Sequence, residues 1–316
     1  MSPSQEMGGN QTSVTEFLLL GFPLSRRTQL LLFGLFSLSY AFSLLGNGVI
    51  LGLISLDSRL HTPMYFFLSH LAIVDITYAC TTVPQMLVNL LNPAKPISFA
   101  GCMTQTFLFL TFALTECLLL VVMSYDRYVA ICHPLQYSVI MSWRVCITLA
   151  VTSWVCGSLL ALVHLALLLP LPFCGPQKIN HFFCEIIAVL KLACADTHVN
   201  EMMVLAGAVS VLVGPFSSIV ISYIHILRAI LKMQSGEGLQ KAFSTCSSHL
   251  CVVGLFYSTA IIIYVGPQHG GPKEQKKYLL LFHSLCNPLL NPLIYSLRSK
   301  EVKAAVKRML KKQRTS

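Results

Sequence analysis

The sequence predicts an all-α membrane protein, a seven-transmembrane helix bundle with a short amphipathic C-terminal helix. Three observations carry this expectation. Of 316 residues, 55% are apolar and only 11% charged, with a mean hydropathy of +0.70; a soluble domain carries nearer ~25% charge and uses it to cover its exterior. Seven stretches reach the ~20 mostly apolar residues that a bilayer crossing needs. Beyond the last of them the chain turns basic, with an apolar stripe at helical spacing. The first observation excludes a soluble enzyme, a disordered chain and a coiled coil. The net charge of +10 gives no case for nucleic acid once it is read loop by loop.

The expected spans are 29–56, 62–90, 102–131, 143–170, 200–230, 242–266 and 278–297. They divide the chain into an extracellular N-terminus (1–28), a transmembrane domain (29–297) and a cytoplasmic tail with an interfacial helix (298–316). Turn chemistry separates them at Asp57-Ser58-Arg59, Asn92-Pro93-Ala94-Lys95-Pro96, Gln234-Ser235-Gly236-Glu237-Gly238 and Gly270-Gly271-Pro272-Lys273. The run from Phe17 to Leu24 is too short and lacks the basic start of a cleaved signal, so span one is expected to act as its own insertion signal.

An odd number of spans puts the two ends on opposite sides. With the N-terminus outside, 14 of the 22 Lys and Arg fall on the inner side and 8 outside, the bias the positive-inside rule requires. Arg26 and Arg27 before span one, against Arg59 after it, pull weakly the other way. Asn10-Gln11-Thr12 is a glycosylation sequon, meaningful only outside the cytosol. Cys102, Cys174, Cys184 and Cys194 fall on the outer side, an even number in an oxidising compartment, with three pairings open. The expected location is the plasma membrane, N-terminus out and C-terminus in.

Polar groups inside a bilayer are costly and mark function. Asp75 in span two and Glu116 in span three are the carboxylates well inside the spans, with the amides of Asn47, Asn287 and Asn291 near their depth. Such acids are protonated, paired or bound to a cation. They read either as neutral glue between helices or as an ion site that would hold Na⁺. Asn287-Pro288 and Asn291-Pro292 share one face of span seven, and each proline removes a helix hydrogen bond and bends the chain. Pro215 adds a bend in span five. Asp126-Arg127-Tyr128 closes span three at its inner end, either as an interface anchor or as an Arg that pairs with Asp at rest and is released to a cytoplasmic partner. Val302, Val306, Met309 and Leu310 form a stripe opposite a basic face, which reads as a helix on the anionic inner leaflet.

The chain resembles the olfactory (odorant) receptors, within the rhodopsin-like G-protein-coupled receptors, over nearly its whole length. The resemblance rests on Val14-Thr15-Glu16-Phe17 with Leu20-Gly21-Phe22, Gly46-Asn47, Leu60-His61-Thr62-Pro63-Met64-Tyr65-Phe66-Phe67-Leu68 and Met123-Ser124-Tyr125-Asp126-Arg127-Tyr128-Val129-Ala130-Ile131-Cys132-His133-Pro134-Leu135. It continues through Ser222-Tyr223, Lys241-Ala242-Phe243-Ser244-Thr245-Cys246-Ser247-Ser248-His249-Leu250 and Asn291-Pro292-Leu293-Ile294-Tyr295-Ser296-Leu297-Arg298. The cysteine-rich second outer loop resembles the tetrapod-type (class II) branch. The sequence departs from the commoner pattern at His283-Ser284-Leu285-Cys286-Asn287, and Met123-Ser124 replaces Met-Ala.

The resemblance implies the disulfides Cys102–Cys184 and Cys174–Cys194. It implies that Arg127 engages a G protein under restraint by Asp126, that Tyr223 and Tyr295 swing inward on activation, and that Asp75 and Glu116 form the ion site. The implied partner is the stimulatory olfactory G protein, with cyclic AMP as output. His181 and Cys184 are metal-ligand types, but a Cys184 held in a disulfide offers no thiolate, so no metal site is assigned. The pocket is expected between the outer halves of spans three, five, six and seven. Its expected lining is Thr106, Phe109, Leu110, Ala113 and Leu114; then Met203, Gly207 and Val211; then Tyr257, Ala260, Ile261 and Tyr264; then Leu281 and Ser284. Ordinary helix packing is the alternative for each. The lining suits small, volatile, weakly polar ligands, and no Asp stands there for a cationic amine.

Rival functions lack their residues. No His-Glu-x-x-His, Gly-x-Ser-x-Gly or phosphate-cradling motif occurs, and Lys277 sits only at the edge of span seven, where a retinal protein needs a Lys inside. A transporter of inverted-repeat design is disfavoured by the odd span count and the lack of an internal repeat.

Overall fold

A computed structural model describes residues 14–21, 24–92, 96–174, 176–231, 236–266 and 273–313; within these, the side chains of 236–245, 248, 273–274, 295–298, 300 and 310–313 are outside the description. The spans are Arg26–Leu56, Pro63–Leu91, Phe99–Cys132, Trp143–Leu168, His198–Leu231, Gly236–Tyr264 and Lys273–Arg298, with an eighth helix at Lys300–Gln313. Each lies within a few residues of its expected place. The largest shifts are the earlier starts of spans six and seven, and smaller ones fall at caps. Span one begins at Arg26 because the Ser25 side chain accepts from the Thr28 backbone N–H, and span three begins at Phe99 because Ser98 does the same for Gly101.

Among the described residues, five helices are by themselves long and apolar enough to cross a membrane. Span six contributes the shorter apolar helix His249–Tyr264. Span seven is diluted by His283, two prolines, Asn287 and Asn291. Large apolar side chains cover the outside of the bundle, among them Leu31, Leu35, Leu45, Val151 and Ile221, as a helix surface facing lipid requires.

The bends are satisfied across helices. Pro215 has no N–H for the Val211 carbonyl, one turn earlier, and the helix opens into a π-turn at Val209–Val213 just before it. The Cys117 thiol of span three donates to that freed oxygen at 2.9 Å. In span seven, Pro292 frees the Pro288 carbonyl, which accepts from Asn47 Nδ2 at 2.8 Å and Ser43 Oγ at 3.0 Å. Span one can come that close because residue 46 is glycine: a Cβ there would stand 3.1 Å from Pro292 Cγ. Spans three and four meet at another glycine, since a Cβ on Gly157 would collide with the Thr115 hydroxyl.

One element was not foreseen. Residues Glu16–Leu19 form β1, which pairs antiparallel with β2 (Ile97–Ser98) and parallel with β3 (Lys178–Ile179), in the order β2-β1-β3. Phe17 and Leu19 alternate inward and are buried, so the segment before span one lies down as a cover on the bundle. The seven-helix bundle is as expected, and this small sheet is an addition to it. The disulfides pair Cys102 with Cys184 and Cys174 with Cys194.

At the other end, Val302 and Ala305 of the eighth helix are buried, and Val306 and Met309 pack against the main core. The stripe therefore faces the bundle over much of its length. Leu310 lies outside the described side chains. Arg308 donates through Nε and Nη2 to Asp57 Oδ2, tying this helix to the first inner loop, and the Arg308 bond holds the Asp57 carboxyl below its usual range.

Candidate functional site

The second outer loop folds into the bundle and closes its outer end. Thr106 Oγ1 donates to the Cys102 and Cys184 carbonyls at 3.0 and 3.1 Å, and Gln105 Oε1 accepts from the Cys184 N–H at 2.8 Å. These bonds carry the disulfide-held strand down between the helices, so that Phe183 packs on Phe109 with ring centroids 5.0 Å apart. Glu185 caps the short helix Ile186–Leu190 by accepting from the Ala188 N–H, and Ile186 reaches the space below. Burial pushes the Glu185 carboxyl up from its ordinary pKa.

Under this lid is a cavity of about 80 Å³, several times the ~10–15 Å³ that one ordered water needs by the same measure. Phe109, Leu110, Ala113 and Leu114 of span three line it, with Gly207 and Val211 of span five, and Ala260 and Tyr264 of span six. The other expected lining residues lie outside it. Thr106 is used in the disulfide clamp. Met203 is 40% exposed on the outer surface of span five. Tyr257 lies fully buried and donates to the Cys117 carbonyl at 2.9 Å. Ile261 packs with the main core, and Leu281 joins the Phe36–Tyr78 cluster. Ser284 bonds the Tyr78 hydroxyl at 3.1 Å. Spacing had not pointed to span four, which adds Leu160 and His164, nor to Cys117, Phe256, Leu280 and His283. The departure at His283 was the available signal for span seven.

A protein-family model described as olfactory receptor matches residues 36–313. Olfactory receptor 2A25 of Homo sapiens is 82% identical over 310 residues, spanning 98% of this chain and all of the relative. Olfactory receptor 2A7 of Mus musculus is 80% identical over 98% of this chain and 99% of its own length. The chain belongs to the olfactory receptor family. It is thus a multi-pass membrane receptor of the rhodopsin-like G-protein-coupled class, with small-molecule ligands and a G-protein partner, and is not an enzyme. The fold is shared with squid rhodopsin, whose crystal structure aligns at a TM-score of 0.70 and 18% identity over 91% of this chain and 86% of that one.

Below the cavity of this olfactory receptor lies a buried polar centre. Asn291 Nδ2 donates to Asp75 Oδ1 and Oδ2 at 3.1 and 3.0 Å and to Glu116 Oε1 at 3.4 Å. Asp75 is wholly inaccessible and Glu116 3% exposed. The expected ion-site pair is brought together, with Asn291 as the amide between them and Pro292 as the bend beside it.

At the inner end, Arg127 grips Asp126 Oδ2 through Nη2 at 2.6 Å and Nε at 3.0 Å. Tyr137, on the short inner-loop helix Tyr137–Ile140, donates to Asp126 Oδ1 at 2.7 Å. Burial, then the neighbouring Asp126 carboxylate, push the Tyr137 phenol up. The Tyr137 contact was not read from sequence because the two residues belong to different elements. Tyr223 is buried and shares a 2.6 Å hydrogen bond with His249 Nδ1 of span six, the rings stacked at 5.7 Å. Tyr128 turns aside to His133 and His225. The Tyr295 side chain and Asn10 lie outside the described residues.

Proposed function

We propose that this olfactory receptor binds small, volatile, weakly polar odorants in the cavity beneath the second outer loop and activates a stimulatory G protein, raising cyclic AMP. The observation that carries the ligand class is the cavity wall: Phe109, Leu110, Ala113, Leu114, Val211 and Ala260 give it an almost wholly apolar surface with few polar atoms. The N-terminus is outside and the C-terminus cytoplasmic on this reading, supported by the distribution of Lys and Arg.

The route from ligand to partner runs through bonds already described. Cys117 and Val211 are at once cavity wall and the junction of spans three and five, and Tyr257 joins span six to Cys117. A ligand that draws these three helices together favours one arrangement of the junction over the other, and only such differential binding shifts the population. Span six then moves at its inner end, the Tyr223–His249 bond rearranges, and Arg127 exchanges Asp126 for the G protein. Asp75 and Glu116 would hold a sodium ion by donor chemistry, being hard carboxyl oxygens on facing helices; it would supply a counter-charge to the two acids, to both of which Asn291 donates. The inner helix, basic on its open face, rests against anionic lipid.

The test is a cyclic AMP reporter assay against a broad odorant panel in cells carrying the stimulatory olfactory G protein, with surface staining of an N-terminal tag on intact cells. A dose-dependent response from stained cells supports the reading, and silence from well-stained cells counts against the coupling or the ligand class. An N-terminal tag stained only after permeabilisation, together with a C-terminal tag stained on intact cells, would reverse the orientation.

A further inference from the structure

His164 is the residue of the cavity wall whose hydrogen bonding the fold leaves incomplete. Its Nδ1 lies 2.8 Å from the Leu160 carbonyl oxygen, one turn back in span four. A carbonyl only accepts, so Nδ1 carries the hydrogen, and in the neutral ring Nε2 keeps its lone pair. Among the described residues Nε2 has no hydrogen-bond partner. The Cε1–Nε2 edge stands against Gly207, where a Cβ would lie 3.3 Å from both atoms. The glycine therefore opens span five to the imidazole, and both residues face the cavity.

The other polar groups of the wall are engaged. The Cys117 thiol serves the Val211 carbonyl, and Tyr264 stands beside Glu185. His283 Nδ1 is 2.6 Å from Thr259 Oγ1, whose own hydrogen serves the Leu255 and Phe256 carbonyls; Nδ1 therefore donates, and Asn287 Nδ2 covers the ring's other nitrogen at 3.3 Å. Among the described residues, His164 Nε2 is the unfilled acceptor of this apolar chamber.

We propose that His164 Nε2 is the specificity-determining acceptor of this receptor, and that the cavity selects a compact apolar molecule carrying one hydroxyl, an alcohol, over its methyl ether or carboxylate. This rests on the ligand site of the proposed function and names its chemistry. An alcohol donates to Nε2. The ether presents only a lone pair there, and covering the half-buried ring's acceptor without pairing it lowers potency about tenfold or more.

The test uses the full-length receptor on cells and matched medium-chain primary alcohols, methyl ethers and carboxylates, read by cyclic AMP and by ligand-dependent thermal stabilisation of the receptor. The second reading needs no G protein. Expected is an alcohol at least about tenfold more potent than its ether, a gap that closes in His164→Phe and is partly kept in His164→Gln. Equal potency of alcohol and ether, a lead for the carboxylate, or a gap that survives in His164→Phe would overturn the proposal. Should His164→Phe fail to reach the surface, the wild-type comparison still decides, together with Gly207→Ala, which crowds the ring and should shrink the gap. Stained cells that answer other odorants but no alcohol overturn this inference alone. No stabilisation and no signal from any odorant would overturn the ligand site of the proposed function with it.

Discussion

The Cys117 thiol donates to the Val211 carbonyl across 2.9 Å, from span three to the oxygen that Pro215 leaves without its helical donor. A free cysteine in a membrane helix looks like filler; this one closes a break in the neighbouring helix and forms part of the cavity wall.

Cys117→Ala should therefore strand a buried carbonyl, costing about 1–3 kcal/mol of stability. Pro215→Ala restores the missing N–H and should make the thiol dispensable. Thermal unfolding of the purified receptor in a double-mutant cycle checks this: a cost for Cys117→Ala undiminished in the Pro215→Ala background would refute the assignment.

Gly46 and Asn47 fix span one on the bend of span seven. Gly46→Val pushes a branched side chain into Pro292, from which even a Cβ would be 3.1 Å away, and Asn47→Leu removes the shorter of two donors to the Pro288 carbonyl. Both should lower surface expression on intact cells, Gly46→Val more severely because two backbones must part. Normal staining of Gly46→Val would contradict the packing.

Tyr137 and Arg127 hold the same carboxylate from opposite sides. Tyr137→Phe removes a hydrogen bond to a charged group, worth about 1.5–3 kcal/mol, and should raise ligand-independent cyclic AMP at equal surface density. Arg127→Ala should abolish signalling with surface staining preserved. Unchanged basal output in the first, or persistent signalling in the second, would remove these residues from the switch.

The lid should be acid-sensitive. His181 is buried against Phe182 and Phe183, and burial first, then Lys277, hold its pKa down to about 3. The unfolded loop takes up a proton near ~6.5. The folded lid binds fewer protons than the unfolded one in the window between those values, so stability rises with pH there and falls as the outside is acidified below ~6.5. Lid opening, followed by hydrogen exchange of residues 178–190 at pH 7 and pH 5, should increase at the lower pH, and His181→Phe should flatten the difference. Lys277→Met should loosen the same region at both values, since Lys277 Nζ donates to the Gly21 carbonyl at 2.6 Å and Asn180 Oδ1 at 2.8 Å.

Much of this receptor could be read along the chain. The spans, their prolines, the Asp75–Glu116 pair and the Asp126-Arg127-Tyr128 close of span three are local facts: hydropathy over ~20 residues, a missing N–H, a charge where lipid should be. Helical spacing within span three also found its cavity face, because one turn repeats the same direction. Between helices that reasoning weakened. Met203 and Gly207 are one turn apart in span five, yet Met203 is on the outer surface and Gly207 in the cavity wall, with the π-turn beginning two residues later. His164 is not legible as a wall residue because nothing in span four's sequence tells which face meets Gly207. The strand at Glu16–Leu19 escaped notice because its partners are supplied by loops far along the chain.

The sequence by itself thus determined the membrane topology class, the polar centre and the family, since each is written in residues adjacent or one turn apart. Only the tertiary structure decided which donor meets which orphaned carbonyl, and which imidazole is left open to a ligand. Those choices depend on how each helix is rotated and bent against its neighbours, a property of the packed bundle that no single segment carries.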